Sequence, residues 1–136
     1  MNIVDKLVQW QPNKGSPPSE STYCYLLCNK QTLYIAFQCF NPESEKIAVY
    51  EVTRDRWDGD HVWVILDTFG DKMTAYEFCV NSAGVQLDVR ISQEGELLDI
   101  SWDGIWYSAT KITDYGYNVE MKIPFKTLKF KLGLTE

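Results

Sequence analysis

An alternation of apolar and polar residues, repeated in short segments, is the feature that most constrains the fold of this chain. Successive side chains of a β-strand point to opposite faces, so a two-residue period predicts a strand with one buried face. Turn-forming residues separate the segments at intervals of about eight to twelve positions, which is typical of an all-β sandwich. The strands predicted in this way are residues 22–28, 33–40, 46–53, 61–67, 74–81, 85–91, 105–113 and 117–123.

These segments predict an all-β fold, an antiparallel β-sandwich of the immunoglobulin or jelly-roll kind, formed by a single domain over residues 1–136. We expect less than about 10% helix, well below the globular average. One helical turn is expected at 125–128, after Pro124 ends the last strand, because proline cannot continue a central ladder. Residues 1–20 contain three prolines and a glycine and are expected to be irregular.

The size and charge of the chain limit what it can bind. Its 136 residues, 45% of them hydrophobic, are enough for a core without disulfides or metals. A net charge of −6 without a basic patch excludes the usual footprint of a nucleic-acid-binding protein. No apolar run is long enough to span a bilayer, and the chain opens without a signal peptide. That opening fits a cytosolic protein and a part of a longer protein equally well.

The four cysteines are interpreted as free thiols that act as small apolar groups. Cys24 and Cys28 share a face of one predicted strand about 13 Å apart, too far to bridge each other. Cys39 and Cys79 also fall in predicted strands. The even number permits a disulfide framework, but a chain of this size does not need one. A zinc site is not indicated, since no CxxC pair is present and His61 is the only histidine.

The stretch from Arg54 to Asp60 holds the residue that folding alone explains least. Trp57 stands among polar or flexible residues, where strand periodicity does not require a tryptophan. A flat indole could stack on the C–H face of a pyranose while flanking charged groups bond its hydroxyls. Alternatively, the ring tucks under the loop and plugs it.

The same stretch carries carboxylates at positions 55, 58 and 60 that could bind calcium through oxygen. Their spacing is not that of an EF-hand. A solvated acidic loop explains them as well, so both interpretations stay open.

Catalytic machinery is poorly represented. No nucleophile elbow, P-loop or dinucleotide-binding motif is present. Glu77, Glu120 and Asp67 could support glycoside hydrolysis only if two of them faced each other across a cleft. A solvated strand face explains these carboxylates without any catalytic role.

A haem site is a further alternative. It would need His61 together with Met73 or Met121 as axial ligands, and the sequence contains no haem attachment motif.

The remaining tryptophans fall in strand-like contexts. Trp102 and Trp106 are four residues apart, so a strand would place both rings on one face, either in the core or on an exposed stacking platform. Trp63 is out of phase with Val62 and Val64 and is expected on the opposite face of its strand.

A set of short motifs occurs in fixed order along nearly the whole chain. They are QPNKG at 11–15 with SEST at 19–22, LYIAFQCFNP at 33–42, RD at 54–55, residues 59–68, AYEF at 75–78 with VN at 80–81, GVQ at 84–86 with Asp88, WDGIW at 102–106, residues 116–120, and IPF at 123–125 with Leu128. Each is weak alone, and their order and spacing make the set specific. Together they resemble the carbohydrate-binding module family nine-like domain found at the N-terminus of large bacterial outer-membrane proteins of unknown function.

The resemblance implies a β-sandwich, an envelope or secreted location, and sugar recognition. In characterised members a tryptophan shortly before an acidic residue that opens a core strand stacks on the sugar, and Trp57 is similar to it. The ligand-binding residues implied or favoured are Trp57, Arg54, Arg56, Asp58 and Trp63. Asp60 and Asp67 match the acidic positions that flank the strand and are the candidate calcium ligands.

The chain differs from the sugar-binding members at two positions. Those members carry a glutamate three residues after the position of Asp60 and an arginine in the next strand, where this chain has Trp63 and Cys79. The resembled fold also continues past the IPF motif, so we expect a sandwich that lacks its C-terminal closing strands. The unpaired strand edge would then pair with a second copy in a homodimer.

The sequence therefore favours a non-catalytic carbohydrate-binding-like module of a bacterial envelope or secreted protein, with a poly- or oligosaccharide as its partner and a parent outer-membrane protein. The alternative is an envelope protein-interaction or structural domain that has no sugar site.

The state of the cysteines can be tested directly. A thiol reagent added to the denatured, non-reduced protein should titrate four thiols, since the fold needs no disulfide. A count of two or zero would show that the chain is cross-linked.

Overall fold

The computed structural model describes residues 1–47 and 59–130. Within these ranges the chain forms nine strands and three short 3₁₀ turns. The strands are β1 (Asn2–Val4), β2 (Thr22–Cys28), β3 (Thr32–Phe40), β4 (His61–Leu66), β5 (Ala75–Asn81), β6 (Gln86–Ser92), β7 (Leu97–Asp99), β8 (Tyr107–Thr113) and β9 (Gly116–Pro124). The 3₁₀ turns are Ser44–Lys46, Gln93–Gly95 and Phe125–Thr127. No helix in the described ranges has the length and apolar content needed to cross a membrane.

The strands build two antiparallel sheets. The first has the order β1-β2-β3-β9-β8, and the second has the order β4-β5-β6-β7. β3 is central in the first sheet, since it pairs with β2 on one side and along its whole length with β9 on the other. The predicted all-β antiparallel sandwich is therefore confirmed.

The two sheets share one apolar core. Inward residues of β9 alternate strictly with polar ones, with Val119 and Ile123 fully buried and Glu120 exposed. Phe78 from β5 and Ile35 from β3 bring the two sheets into the same buried cluster. The two-residue period of the sequence thus corresponds to a core face and an outer face in each sheet.

A second, smaller cluster lies on the other face of the four-stranded sheet. Trp63 packs there with Ile91 against the buried side chains of Cys79, Leu87 and Val89. The alternate residues of β4, Val62, Val64 and Leu66, face the opposite way and belong to the main core. The prediction that Trp63 faces away from Val62 and Val64 is confirmed.

A buried carboxylate fixes the loop that precedes β8. Asp88, 1% exposed, accepts a hydrogen bond of 2.6 Å from the backbone N–H of Gly104. A Cβ on Gly104 would lie 2.8 Å from the Trp102 ring, so a larger residue would displace that ring.

Both tryptophans of this loop belong to the core. The Trp106 ring lies 5.0 Å from that of Phe78 in an edge-to-face contact, and Trp102 lies 4.8 Å from Tyr76. They precede β8 rather than lying within it, since that strand begins at Tyr107 instead of at residue 105. The core interpretation holds for both rings, without a shared strand face.

Three details differ from the sequence prediction. Residues 1–20 are not wholly irregular, because β1 adds a short edge strand to β2. β7 was not predicted, since three residues are too few to show alternation. In the strand predicted at 46–53, Lys46 lies in a 3₁₀ turn and residues 48–53 lie outside the described residues. The turn predicted after Pro124 is present as Phe125–Thr127.

The core can be tested at its largest fully buried side chain. Phe78→Ala should lower the free energy of unfolding by about 3–5 kcal/mol, because it leaves a cavity under two tryptophan rings. Ile65→Ala is the matched control, since Ile65 is 60% exposed and its loss should be small. Equal denaturation midpoints for the two variants would contradict the assignment of the core.

A carboxyl beside the second cluster gives a pH-dependent test. Burial raises the pKa of Glu77, which stands two residues before Cys79 on β5. Its folded pKa therefore exceeds the unfolded one, so stability is greatest below the unfolded pKa and falls as pH rises through the folded pKa. Glu77→Gln should raise the stability at pH 7, by less than about 1 kcal/mol because the group is only partly buried.

This stabilisation should vanish below the pKa of an unfolded glutamate, about 4.3. Glu120→Gln, at an exposed position on the other sheet, is the control. A Glu77→Gln protein that is less stable than the wild type at pH 7 in thermal unfolding would contradict the effect of burial.

Candidate functional site

A cavity of about 350 Å³ lies at one end of the sandwich. β2 begins there, and β3 ends there, since Thr22 pairs with Cys39. β9 begins beside them, because Cys39 also pairs with Tyr117. We call this the end cavity. Its lining among the described residues is Leu7, Glu20, Thr22, Phe37, Cys39, Phe40, Asn41, Asp60, His61, Val62, Trp63 and Tyr117.

The closing of this end depends on one glycine. Gly116, which opens β9, has a φ of +150°. A Cβ at this position would lie 1.9 Å from the carbonyl oxygen of Cys39. Only glycine therefore lets the last residues of β3 approach the start of β9 this closely. The backbone of Asn41 donates a hydrogen bond of 2.7 Å to the carbonyl of Tyr115 at the same place.

His61 and Trp63 form an aromatic wall of the cavity. They stand two residues apart on β4 and so share a face. Their ring centroids are 5.5 Å apart with an angle of 78° between the planes, which is an edge-to-face contact. Nδ1 of His61 lies 2.8 Å from the carbonyl oxygen of Gly59. Because a carbonyl only accepts, Nδ1 donates there, and the neutral ring presents Nε2 as an acceptor.

Asp60 adds a carboxylate beside this wall. Its position is held by the backbone, since its carbonyl accepts a hydrogen bond of 2.7 Å from the N–H of Ser82. The side chain is exposed. A carboxylate at this place accepts hydrogen bonds from hydroxyl groups.

The floor of the cavity holds a thiol and a phenol. Burial raises the pKa of Cys39, and hydrogen bonds with Tyr117 and Thr22 lower it by less. Burial also raises the pKa of Tyr117, and the nearby Cys39 raises it further. The charge of Asp60 raises both values as well. Cys39 is therefore a neutral thiol at neutral pH, which suits neither a nucleophile nor a metal ligand.

Taken together, the cavity offers an aromatic wall and several short polar side chains. Thr22, Asn41 and Asp60 supply a hydroxyl, an amide and a carboxylate. These groups suit a small ligand that carries hydroxyls on an apolar ring.

The predicted site residues are only partly described. Trp63 and Asp60 line the end cavity. Four others, Trp57, Arg54, Arg56 and Asp58, lie outside the described residues, so their roles stay predictions.

Sequence reasoning missed the polar groups at the start of β2 and just after β3. Glu20 and Thr22 belong to the SEST motif, and Asn41 belongs to the segment at 33–42. Both segments carried the family resemblance. That resemblance is the signal that could have identified these residues as candidates for the site.

The carboxylate of Asp67 accepts hydrogen bonds from the backbone of the turn that follows β4. Its Oδ1 accepts hydrogen bonds from the backbones of Phe69 and Gly70, at 3.2 and 2.7 Å, and its Oδ2 accepts one of 2.9 Å from Lys72. Asp60 stands at the opposite end of β4, roughly 23 Å away at ~3.3 Å per residue. Within residues 1–47 and 59–130, no three acidic, histidine or cysteine side chains are grouped to hold a metal. The described residues therefore do not fit a calcium site, and calcium binding stays a prediction.

Two of the strand carboxylates, Glu77 and Glu120, do not converge. Glu120 is out of phase with the core residues of β9 and lies on the outer face of the five-stranded sheet. Glu77 is out of phase with Phe78 and lies on the outer face of the other sheet. Since packed sheets are about 10 Å apart, these two carboxyl groups cannot meet across one cleft.

The residues considered for haem are also separated. Met121 is 2% exposed and lies in the core, whereas Met73 is an exposed residue of the turn between β4 and β5. His61 lies at the other end of β4 from that turn. These positions do not form an axial pair.

The two positions that differ from the sugar-binding members of the resembled family are neighbours in the sheet. Trp63 on β4 is the cross-strand partner of Cys79 on β5. Burial, and then the charge of Glu77, raise the pKa of Cys79 to about 12, so this thiol is also neutral. An apolar contact therefore occupies the place of a glutamate and an arginine.

The comparison with protein-family models agrees with this geometry. The model described as carbohydrate family 9 binding domain-like matches residues 5–135. Comparisons with curated proteins and with solved structures gave no match. Since the matched range spans nearly the whole sandwich, the chain belongs to the carbohydrate family 9 binding domain-like family.

Proposed function

We propose that the protein is a non-catalytic carbohydrate-binding module whose sugar site includes the end cavity. The observation that carries this proposal is the grouping of Asp60, His61 and Trp63 in one cavity of a chain from this family. The positions of Glu77 and Glu120 on the outer faces of different sheets support a binding role rather than hydrolysis by that pair.

The chemistry of the cavity suits a pyranose. The Trp63 ring would contact the C–H face of the sugar, while Asp60 and Nε2 of His61 accept hydrogen bonds from its hydroxyls. Few such contacts offset the loss of ligand freedom, so affinity is low, with a Kd on the order of 10⁻⁵ to 10⁻³ M.

The residues just before Asp60 in the sequence complete the proposed site. We assign Trp57 as the main stacking platform, with Arg54, Arg56 and Asp58 as its polar partners. Support comes from the position of Trp57 three residues before Asp60, which is similar to that of the stacking tryptophan in sugar-binding members.

The wider setting of the module is also a proposal. We infer a bacterial envelope or secreted location, as one domain of a larger outer-membrane protein. Self-association through a strand edge is part of the same proposal, since edge strands offer unpaired backbone groups to a second chain.

A second function is favoured by one specific observation. Trp63 and Cys79 form an apolar contact at the positions where sugar-binding members carry polar residues, and Ile65 is 60% exposed on the same strand face. Apolar groups without the polar contacts of a sugar site would suit a protein partner instead. This domain would bind no sugar.

Calorimetric titration with a panel of neutral mono- and oligosaccharides separates the two functions. We expect weak binding to at least one saccharide. Asp60→Ala should weaken it by about tenfold or more, because a carboxylate that accepts from sugar hydroxyls is lost. Trp57→Ala should abolish binding with little change in the unfolding midpoint, because a stacking platform contributes little to the core.

Trp10→Ala is the matched control, since Trp10 is 70% exposed and is not part of the cavity lining. A large stability loss in Trp57→Ala would identify Trp57 as a loop plug. No binding to any saccharide would overturn the sugar site and favour the interaction domain.

A further inference from the structure

A second cavity, of about 500 Å³, lies at the other end of the five-stranded sheet. The turn between β2 and β3, the start of β8 and the end of β9 meet there. Its walls include Lys30, Lys122 and Lys126 together with Tyr107. We call it the lysine cavity.

The backbone around the lysine cavity is well fixed. Oδ1 of Asn29 accepts hydrogen bonds of 2.8 and 2.9 Å from the N–H groups of Gln31 and Thr32, which hold the turn next to Lys30. The N–H of Phe125 donates a hydrogen bond of 2.8 Å to the carbonyl of Gln31, which joins this turn to the 3₁₀ turn that carries Lys126. The site is therefore built on paired strands and bonded turns.

Lys122 is fixed in the same way. It lies within β9, where it pairs with Tyr34 on one side and with Tyr107 on the other. The three lysines thus come from three separate segments that the fold brings to one cavity.

The charge of this cavity is opposite to that of the chain. The protein carries a net charge of −6, yet the described lining contains three lysines and no carboxylate. Among the described residues, Lys30, Lys122 and Lys126 form no ion pair. Three positive charges that line one cavity repel one another, and an anion in the cavity would relieve that repulsion.

An aromatic ring stands beside these charges. Tyr107 is 56% exposed, and Nζ of Lys122 lies 5.6 Å from the centroid of its ring. A second depression of about 250 Å³ shares both residues and extends over the small side chain of Ala109 toward Tyr34. The second depression is also lined by the exposed carboxylate of Glu120, so the groups that would bind an anion are those of the lysine cavity, and the second depression adds only the aromatic face of Tyr34 beside Tyr107.

We propose that the lysine cavity binds an anionic saccharide, a pyranose that carries a carboxylate or a sulfate group. The lysines hold the anionic group, and the ring stacks on Tyr107. The choice of a saccharide rather than another anion rests on the proposed function, whereas the recognition of an anion rests on the lysines alone. This site is roughly 26 Å from the end cavity, the length of β3.

Calorimetry on the full chain tests the proposal with four probes. They are a hexuronic acid trisaccharide, the same trisaccharide with its carboxyl groups reduced to alcohols, a sulfated analogue, and sodium sulfate. We expect the carboxylated or the sulfated saccharide to bind at least about tenfold more tightly than the reduced one. That affinity should fall as sodium chloride rises, because salt screens the lysines.

Variants locate the binding. Lys122→Gln and Lys126→Gln should each weaken the binding of the acidic saccharide by about threefold or more. Lys111 is an exposed lysine of β8 outside both depressions, so Lys111→Gln should leave that binding unchanged. Tyr107→Ala should weaken the binding of the acidic saccharide but not the binding of inorganic sulfate. A circular dichroism spectrum of each variant checks that the fold is kept.

Equal affinity for the acidic and reduced trisaccharides would overturn the proposal. So would a loss of affinity in Lys111→Gln as large as the loss in Lys122→Gln or Lys126→Gln. If inorganic sulfate binds as tightly as the saccharide, the assignment of the ligand as a saccharide is wrong, and the lysine cavity is a simple anion site. The two proposals fail separately, because Asp60→Ala reports on the end cavity and the lysine variants report on the lysine cavity.

Discussion

The contact between the inward faces of the two sheets is the interaction on which the rest of the molecule depends. Phe78 is fully buried there and meets the rings of both Trp102 and Trp106. Those rings come from the loop before β8, which the buried carboxylate of Asp88 ties down through Gly104. Each sheet therefore keeps a fixed position, and the strand ends that form the two cavities are held in place by the same core.

Strict alternation made most of the strands predictable, and its absence explains what was missed. Apolar and polar residues alternate from Tyr117 to Ile123 of β9, so its buried face follows from the sequence, and its bounds differ from the predicted ones by one residue at each end. β7 has only three residues, and Trp102 and Trp106 enter the core from a loop, where no period applies. The end cavity joins residues from β2, β3 and β4 that are about 20 positions apart, and only the strand pairing shows that they meet. The sequence named Asp60 as a calcium candidate and Trp63 as a ligand-binding residue, but not that both line one cavity with Asn41.

The two cavities divide the polar chemistry of the domain between its ends. The end cavity carries carboxylates and an aromatic wall, which suits the hydroxyls of a neutral sugar. The lysine cavity carries only cationic and neutral groups in its described lining, which suits a negative charge. A glycan with neutral and acidic units could contact both ends of one module, or the two sites could serve different chains. Each site would be weak alone, and together they would raise the apparent affinity by raising the local concentration of ligand.

Nuclear magnetic resonance of the full chain, labelled with ¹⁵N, tests the sugar site most directly. Addition of a neutral saccharide that binds should shift the indole signal of Trp63 and the backbone signals of Asp60 and His61, while the signal of Tyr107 stays in place. Shifts confined to the lysine cavity, or no shift at Asp60, His61 and Trp63 at saturating sugar, would contradict the assignment of the end cavity as the sugar site.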